Sequence, residues 1–358
     1  MSSTREGGGR GRTRRSDAPS RRRSVLDGHP APRAQPDWIE PMLATLTEPA
    51  EMPKGWVYEP KLDGARALVF LDGPHAVIRS RNRHLLDTRF PEIATAVRRA
   101  VQGRAILDGE IVASDPETGV PSFPRLQRRL HRTGPSEALR REVAVELWLF
   151  DCLHYEGRDL TGQPWTVRRQ MLEEAVTPGG GIRLTPYFDG PFDALFEASC
   201  RHGGEGLIAK RSTARYQRGR SRDWLKMKCV REQEFVVGGW TQPKGSRVGI
   251  GSLLLGYWDG GDLRYAGKVG TGLDDFTLRM LQREMEHLRR GSSPFAGKIP
   301  ERNANWAEPE LVVQVGYGEW PDGALLRHPR FLGIRRDIAA SEVRHERAEP
   351  LPAAARRR

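Results

Sequence analysis

The sequence predicts an α+β protein with two domains: a larger domain of antiparallel sheets with flanking helices, followed by a smaller β-barrel domain. Strand-like segments dominate the chain, and after about Arg231 they become short apolar strands separated by glycine-rich turns. The length of 358 residues fits two domains plus tails. Helical patterns interrupt the strands at residues 91–101, 166–175, 192–202 and 274–290.

Residues 1–36 are predicted to be a disordered, arginine-rich tail. Nine arginines against Glu6, Asp17 and Asp27 give this segment a charge of +6, which is half of the formal net charge of +12. The segment is rich in Gly, Ser and Pro and has few apolar residues, so it cannot form a core. It is either an inert leader or an electrostatic arm that binds the phosphate backbone of nucleic acid.

Lys61 is the most informative residue of the first domain. It lies in the segment YEPKLDGAR at residues 58–66, between two strand-like segments, and Gly64 is expected to supply a hairpin turn between them. A lysine in such a turn can point into a cleft, and its neutral amine is a good nucleophile toward phosphorus or carbonyl centres. Neighbouring cations or desolvation must first lower the amine pKa from its reference value of about 10.4. Taken alone, the motif also fits a surface lysine in a charged hairpin.

Four further charged clusters follow Lys61 on strand-like segments: SRN at 80–82, LDGEIV at 107–112, EGLIAK at 205–210 and WLKMK at 224–228. Glu110 and Glu205 each place a carboxylate in an otherwise apolar strand. Lys226 and Lys228 share one face of a strand because side chains alternate. Such charges are costly to bury without partners. A Mg²⁺ ion with a polyphosphate would satisfy them, and so would buried salt bridges.

This order of motifs resembles the covalent nucleotidyltransferases, which include ATP-dependent DNA ligases, RNA ligases and mRNA capping enzymes. The resemblance extends from about Trp38 to Asp337 and is greatest to the ligase of bacterial non-homologous end joining. It implies an adenylation domain over 37–230, an OB-fold domain over 231–343 and a C-terminal tail over 344–358. The strings that carry it are EPMLA (40–44), FPRLQ (123–127), LFDCL (149–153), QEFVVGGW (233–240), PKGSR (243–247), GKVGTG (267–272) and RHPRFLG (327–333).

The resemblance implies an ATP-dependent reaction with Mg²⁺, or alternatively Mn²⁺, as the metal. Lys61 would attack the α-phosphate of ATP and form a lysine–AMP intermediate while pyrophosphate leaves. AMP would then move to the 5′-phosphate of a DNA nick, and the 3′-hydroxyl would displace it and seal the strand. The implied substrate is duplex DNA with nicks or ends, in DNA repair, with a Ku-like end-binding protein as a candidate partner.

The resemblance also assigns residues to each part of the nucleotide, with Glu110 and Glu205 as the metal-associated carboxylates. Phe150 would stack on adenine, although core packing in a strand predicted over 143–150 also explains it. The remaining nucleotide contacts are Glu59 beside adenine, Arg66 and Arg81 at the ribose and phosphates, Glu110 near the ribose, Arg220, and Lys226 and Lys228 at the α-phosphate.

The C-terminal motif departs from the family pattern. The family has Arg-x-Asp-Lys, but here Arg335, Arg336 and Asp337 are followed by Ile338. The lysine that would assist pyrophosphate departure is missing, and either arginine could substitute for it. Formation of the lysine–AMP intermediate is therefore the step that the sequence supports least.

Two other functions remain open at this point: an RNA ligase or capping-type guanylyltransferase, and a non-catalytic DNA-binding relative. An NAD-dependent ligase is disfavoured because no four-cysteine zinc site is present. The three cysteines, Cys152, Cys200 and Cys229, are predicted to be small buried residues in a reduced cytoplasm, without a disulfide. No apolar run reaches ~18 residues, so no transmembrane helix and no membrane association are expected. The protein is also expected to be cytoplasmic and monomeric.

Overall fold

The computed structural model describes residues 34–130, 132–243, 249–301, 303–320 and 324–349. Most of the arginine-rich tail and most of the PKGSR string lie outside the described residues. Within the described chain, no helix is long and apolar enough to cross a membrane.

The elements alternate between strands and shorter helical stretches along the whole described chain. The strands are β1 (Met42–Leu46), β2 (Trp56–Pro60), β3 (Ala65–Asp72), β4 (His75–Ser80), β5 (Ala105–Val112), β6 (Glu146–Tyr155), β7 (Arg158–Asp159), β8 (Ile182–Leu184), β9 (Gly206–Arg211), β10 (Gly219–Lys228), β11 (Glu232–Thr241), β12 (Ser252–Asp259), β13 (Asp262–Val269), β14 (Arg289–Arg290), β15 (Ala304–Ala307), β16 (Val312–Gly316) and β17 (Arg330–Ile334). The helices are α1 (Pro91–Ala100), α2 (Phe123–Leu130), α3 (Glu137–Glu142), α4 (Trp165–Ala175), α5 (Phe192–Arg201) and α6 (Asp275–His287), followed by a 3₁₀ turn at Ala340–Glu342.

The strands form three sheets. The first has the order β1-β10-β9-β2, and the second has the order β4-β3-β5-β6-β7 with β8 beside β6. Strands β11 to β17 form the third sheet, in which β11 pairs with β12 on one side and with β15 and β16 on the other. Pairing is antiparallel except between β1 and β10 and between β6 and β8. The predicted mixed α+β class with antiparallel sheets is confirmed.

All four predicted helices are present. Helix α6 ends at His287, earlier than predicted, because Arg289 and Arg290 pair with β15 as a short strand. Asp274 caps the start of this helix by accepting a hydrogen bond from the backbone N–H of Thr277 at 2.7 Å. Helices α2 and α3 were not predicted. In α2 the apolar spacing of Phe123, Leu126 and Leu130, all buried, was the available signal.

The predicted hairpin around Lys61 is wrong. Its two flanking strands exist, but β2 is an edge strand of the first sheet and β3 lies inside the second. Residues 61–64 therefore connect two sheets. Gly64 is needed for close approach to β5, since a Cβ atom there would lie 2.4 Å from the carbonyl oxygen of Ile111 and 2.8 Å from Cγ of Glu110. This crossing directs Lys61 into the space between the sheets.

Two other strand predictions need correction. Glu205 does not lie within a strand; it directly precedes β9. The strand that carries Phe150 runs over Glu146–Tyr155 and not over 143–150, because its pairing with β5 continues to Tyr155. Phe150 still lines the space between the sheets, and Glu205 contacts Lys61 at its border.

Two apolar clusters support this cleft. The larger one packs the second sheet against α1, α2 and α4. The smaller one lies between the two sheets and combines residues of both, including Met42 and Trp224 from the first sheet and Leu68, Ile106 and Phe150 from the second. Charged side chains from both sheets pack against the smaller cluster.

Helix α2 contacts the third sheet. The side-chain amide of Gln127 donates to the carbonyl oxygen of Ile334 at 3.4 Å, and the guanidinium of Arg335 lies 4.5 Å from the ring centre of Phe123. The helix start is tied to the Lys61 segment, because Asp63 accepts a hydrogen bond from the backbone N–H of Phe123 at 2.9 Å. Lys61 and the third sheet are thus linked through one helix.

The cysteine prediction is wrong for two of the three residues. Cys200, near the end of α5, forms a disulfide with Cys229, directly after β10, while Cys152 is buried and free. The two bonded cysteines are 29 residues apart in sequence. Antiparallel pairing of β9 with β10 brings their segments together, which a spacing rule does not reveal.

This disulfide should stabilise the first domain. Replacing both Cys200 and Cys229 by serine should lower the free energy of unfolding by roughly 3 kcal/mol, because closing a loop of this length restricts the unfolded chain. Denaturant unfolding with and without reductant measures the effect. Reductant should destabilise the wild type and leave the double variant unchanged. Alkylation of three thiols in unreduced, unfolded protein would contradict the assignment.

Candidate active site

A cavity of about 210 Å³ opens between the first two sheets and is covered by residues that follow β10. It collects eight of the ten residues predicted from the sequence. Lys228 and Glu205 do not line it, but Glu205 contacts Lys61 at its border. The eight lining residues are Glu59, Lys61, Arg66, Arg81, Glu110, Phe150, Arg220 and Lys226.

Lys61 is held by Glu205 at the mouth of this cavity. Its backbone N–H donates to the carbonyl oxygen of Gly206 at 2.9 Å, and its Nζ forms an ion pair with Oε1 of Glu205. The other oxygen of Glu205, Oε2, is buried without a hydrogen-bond partner among the described residues. A buried carboxylate oxygen without a partner is costly, so the site favours a further cation or donor at this position.

A buried ion pair lies at the deep end of the cavity. Nζ of Lys210 is 2.6 Å from Oε2 of Glu59, and both side chains are almost fully buried. Burial raises the pKa of Glu59 and lowers that of Lys210, while their mutual attraction opposes both changes. Nζ of Lys210 also lies 4.4 Å from the ring centre of Phe150 and 4.2 Å from that of Trp224.

Phe150 is fixed between cations and aromatic rings. Its ring meets Trp224 edge-on at 6.1 Å, and the guanidinium of Arg66 lies 4.8 Å from its centre. Phe150 belongs to the core between the sheets, as the packing interpretation predicts, and it also lines the cavity. Its ring offers a flat apolar wall to a planar ligand.

Arg66 is immobilised by Asp108. Both carboxylate oxygens of Asp108 accept hydrogen bonds from the guanidinium at 2.6 Å, and the carbonyl oxygen of Met42 accepts a third at 3.1 Å. Burial disfavours the charged form of Arg66, but Asp108 outweighs it and holds the arginine pKa above its ordinary value. Arg66 is therefore a fixed positive charge beside the cavity.

The two strand lysines have different partners. Nζ of Lys226 donates to both carboxylate oxygens of Glu346, at 2.8 and 2.7 Å, whereas Nζ of Lys228 donates to the carbonyl oxygen of Glu232 at 2.9 Å and to its side chain at 3.3 Å. Burial lowers the pKa of Lys226. Burial acts in the same direction on Lys228, but Glu232 reverses it and raises the pKa of that lysine.

Two further predicted residues, Arg81 and Arg220, line the cavity. Arg220 donates to the carbonyl oxygen of Ala44 at 2.9 Å and to Glu346 at 3.3 Å. Arg81 forms an ion pair of 2.8 Å with Glu342, which lies in the 3₁₀ turn near the end of the described chain. Both arginines thus contact carboxylates of the C-terminal segment.

The environment of the cavity strongly alters the ionisation of Glu110. Burial raises its pKa from 4.5 to about 8, against the opposing attraction of Arg66 and Lys61. Glu110 lies on β5, next to the Gly64 crossing. Perturbation of this size is typical of functional sites, and a cation bound nearby would favour the ionised form of this carboxyl.

The C-terminal motif borders the cavity from the third sheet. Arg335 donates to both carboxylate oxygens of Asp337, at 2.9 and 2.8 Å, and to the side chain of Gln314 at 3.0 Å. Arg336 forms an ion pair with Glu284 and lines a neighbouring cavity. Ile338 lines both cavities and packs against the apolar cluster of the third sheet.

The comparisons with known proteins identify the class. Residues 41–228 match the family described as the ATP dependent DNA ligase domain, and residues 246–338 match the ATP dependent DNA ligase C terminal region. The chain belongs to the ATP-dependent DNA ligases, with an adenylation domain followed by an OB-like domain. ATP as the cofactor and DNA as the substrate follow from this family.

Within that class the chain is similar to the ligase part of LigD. It is 39% identical over 329 residues to the multifunctional non-homologous end joining protein LigD of Pseudomonas aeruginosa, and 36% identical over 316 residues to that of Mycobacterium bovis. These matches cover 88% and 87% of this chain but only 38% and 40% of the relatives. The chain thus spans about two fifths of their length.

A solved structure supports the same placement. The chain is similar to the structure titled mycobacterial DNA ligase D complexed with ATP and MES, with a TM-score of 0.61 and 34% sequence identity. The match covers 85% of this chain and 97% of that one. The chain is therefore an ATP-dependent DNA ligase related to the ligase domain of LigD, and the alternatives of an RNA ligase or a capping enzyme are set aside.

Sequence reasoning missed three residues that shape the site. Lys210 and Asp108 each lie within strings already quoted, EGLIAK and LDGEIV, and their charge inside an apolar strand was the available signal. Glu346 follows the matched motifs, and the sequence around it carries no signal for a site. Its position follows only from the path of the folded chain.

The raised pKa of Glu110 predicts a pH dependence of stability. Between about pH 4.5 and 8 this carboxyl is ionised in the unfolded chain but largely neutral in the folded one, so stability should fall as the pH rises. The free energy of unfolding of the wild type, compared with Glu110→Gln, should decrease by up to about 1.4 kcal/mol per pH unit in this window.

Denaturant unfolding of both proteins at several pH values measures this difference. Glu117→Gln, at an exposed position outside the cavity, is the matched control and should follow the wild type. A constant difference between the wild type and Glu110→Gln from pH 4.5 to 8 would contradict the assignment.

Proposed function

We propose that this ligase seals nicks or ends in duplex DNA and that Lys61 is its nucleophile. The observation that supports this most strongly is the shared cavity. Lys61 lines it together with Arg66, Lys226 and the ring of Phe150. In the proposed reaction, ATP enters with its adenine against Phe150 and with Glu59 beside the base. The free oxygen of Glu59, Oε1, could accept a hydrogen bond there.

The first chemical step is nucleophilic attack on the α-phosphate. Nζ of Lys61 loses a proton and forms the N–P bond, while the bond from the α-phosphorus to the bridging oxygen breaks and pyrophosphate leaves. Glu205, which contacts Nζ, is the proposed acceptor of the proton. Lys226, Lys228 and Arg220 would stabilise the negative charge that spreads over the phosphate oxygens. Arg66 and Arg81 are assigned to the ribose and the phosphates.

The proposed metal is Mg²⁺, with Mn²⁺ as an alternative, held by Glu110 and Glu205. Among the described residues, no cluster of three or more His, Cys, Asp or Glu side chains is arranged to hold a metal ion. Mg²⁺ commonly uses one or two carboxylates together with phosphate oxygens, so two carboxylates near Lys61 fit the ion once ATP supplies the rest. The buried Oε2 of Glu205 is an available ligand. The metal would neutralise charge on the phosphates.

The later steps, the partners and the domain limits belong to the same proposal. AMP would pass from Lys61 to the 5′-phosphate at a break, and the 3′-hydroxyl would then displace it. Relatives named for non-homologous end joining favour a role in that pathway, with a Ku-like protein presenting the ends to a monomeric ligase. The proposed limits, 37–230 and 231–343, are supported by the change from the first two sheets to the third after β10.

The first test concerns covalent chemistry at Lys61. Incubation with ATP and Mg²⁺ should add one AMP to the wild-type protein, because the amine displaces pyrophosphate, and Lys61→Ala should gain nothing. Intact mass spectrometry measures both. The exposed Lys54, seven residues earlier, provides the control, and Lys54→Ala should be labelled normally. Labelling that persists in Lys61→Ala, or a stronger adduct with GTP than with ATP, would disprove the assignment.

The second test concerns Ile338. This residue occupies the family's lysine position and lines the nucleotide cavity. If the missing lysine limits pyrophosphate departure, Ile338→Lys should speed formation of the lysine–AMP adduct by roughly tenfold or more, since removing a charge-stabilising donor typically costs 10²–10³ in rate. Sealing by protein that already carries AMP should not change.

Single-turnover adenylation and sealing assays separate the two effects. Ile338→Met, which retains an apolar side chain of similar size, is the control. An adenylation rate of Ile338→Lys equal to that of Ile338→Met would mean that another cation, such as Arg335, already fills the role.

A further inference from the structure

The described chain ends in a segment, residues 343–349, that returns from the third sheet to the first; we call it the C-terminal strap. Its start is fixed to the third sheet, where the carbonyl oxygen of Val343 accepts a hydrogen bond from the backbone N–H of Trp258 at 2.9 Å. The ring of His345 lies 3.8 Å from that of Trp320. The strap therefore has a defined path and does not simply trail into solvent.

The middle of the strap is clamped by one side chain of β11. The amide nitrogen of Gln233 donates to the carbonyl oxygen of Arg344 at 3.2 Å, and its amide oxygen accepts from the backbone N–H of Glu346 at 3.0 Å. Beyond this clamp, the backbone N–H of Glu349 donates to Leu46 on β1 at 2.9 Å, and the carbonyl of Glu349 accepts from the hydroxyl of Thr47 at 3.0 Å.

These contacts direct the side chain of Glu346 into the nucleotide cavity. Its two carboxylate oxygens lie 2.8 and 2.7 Å from Nζ of Lys226, and one lies 3.3 Å from the guanidinium of Arg220. The side chain is only 16% exposed. Nearby cations, Lys226 first, hold the pKa of Glu346 well below its usual range against the effect of burial, so the side chain is an anion at neutral pH.

A carboxylate in this position satisfies the same donors that a phosphate would. A lysine ammonium has only three donor hydrogens. Lys226 already donates to both carboxylate oxygens of Glu346. The proposed function needs Lys226 and Arg220 to face the α-phosphate. The carboxylate of Glu346 and the α-phosphate would be two anions competing for one cationic site, and their mutual repulsion prevents simultaneous occupancy.

We propose that the C-terminal strap is an autoinhibitory element in which Glu346 occupies the α-phosphate position and must leave before ATP binds productively. The inference rests on the proposed function, since it takes Lys226 and Arg220 as the phosphate site. The strap has no strand pairing in the described chain, and its residues 347–349 are exposed, so its displacement breaks the individual hydrogen bonds and ion pairs named above but no paired strand. A triphosphate carries more charge than one carboxylate and can displace it. The strap therefore raises the ATP concentration that adenylation requires without abolishing the reaction.

The test compares Glu346→Gln with the wild type in single-turnover adenylation over a range of ATP concentrations. The substitution keeps the size of the side chain and removes its charge. The ATP concentration at half-maximal rate should fall by roughly tenfold or more, because charged hydrogen bonds no longer compete with ATP, and the maximal rate should stay within about twofold. Glu349→Gln is the matched control: Glu349 lies on the same strap but pairs with Arg222 at 3.6 Å, outside the nucleotide cavity, and its removal should change neither quantity.

An unchanged ATP dependence in Glu346→Gln would overturn the proposal. A reduced maximal rate would also overturn it, since Glu346 would then position Lys226 for the reaction. Isothermal titration of ATP into Lys61→Ala, with and without Glu346→Gln, shows whether the strap proposal or the proposed function has failed. Lack of ATP binding in both proteins would argue against the nucleotide site itself, whereas equal binding in both would argue against the strap alone.

Hydrogen exchange gives a second readout that needs no substitution. The backbone N–H groups of Glu346 and Glu349 are hydrogen-bonded in the closed strap and should exchange slowly without nucleotide. Saturating ATP should speed their exchange, because the strap leaves the cavity. Equal or stronger protection in the presence of ATP would contradict displacement.

Discussion

The need to neutralise several buried cations in one cleft is the constraint on which the rest of this structure depends. Lys61, Lys210, Lys226 and Lys228 approach the space between the two sheets with Arg66, and each has a carboxylate partner. Buried charges of one sign are tolerated only with close opposite charges and hydrogen bonds. The carboxylates of the chain itself therefore provide the neutralising charge in this cleft.

The carboxylate partners fall into two kinds. Asp108 lies on β5 with no exposed surface and binds Arg66 through two parallel hydrogen bonds, so this pair is part of the scaffold. Glu59 likewise belongs to the scaffold, since it forms a buried ion pair with Lys210 on the neighbouring strand through one carboxylate oxygen. Glu346, by contrast, is carried by a segment outside the sheets. A partner of the first kind positions a cation permanently, and a partner of the second kind can exchange with a ligand.

The local features of this molecule could be predicted from the sequence. The strands after residue 231 and four helices follow from apolar periodicity, and eight of the ten residues that the family resemblance assigned to the site line one cavity. Features set by tertiary connections could not be predicted. The hairpin at Lys61 was wrong because a local turn signal does not say whether two strands share a sheet, and here Gly64 serves close packing against β5. The disulfide from Cys200 to Cys229 depends on strand pairing, and the place of Glu346 depends on the path of the chain after the barrel.

The central claim is that the cleft transfers AMP through Lys61, and a nick-sealing assay with two substrates tests it most directly. Wild-type protein should seal a nick with a 5′-phosphate when ATP is present. Lys61→Ala should fail on that nick but should still seal a nick that already carries 5′-linked AMP, because only the first two steps need the lysine as a carrier. Sealing of the 5′-phosphate nick by Lys61→Ala would contradict the account.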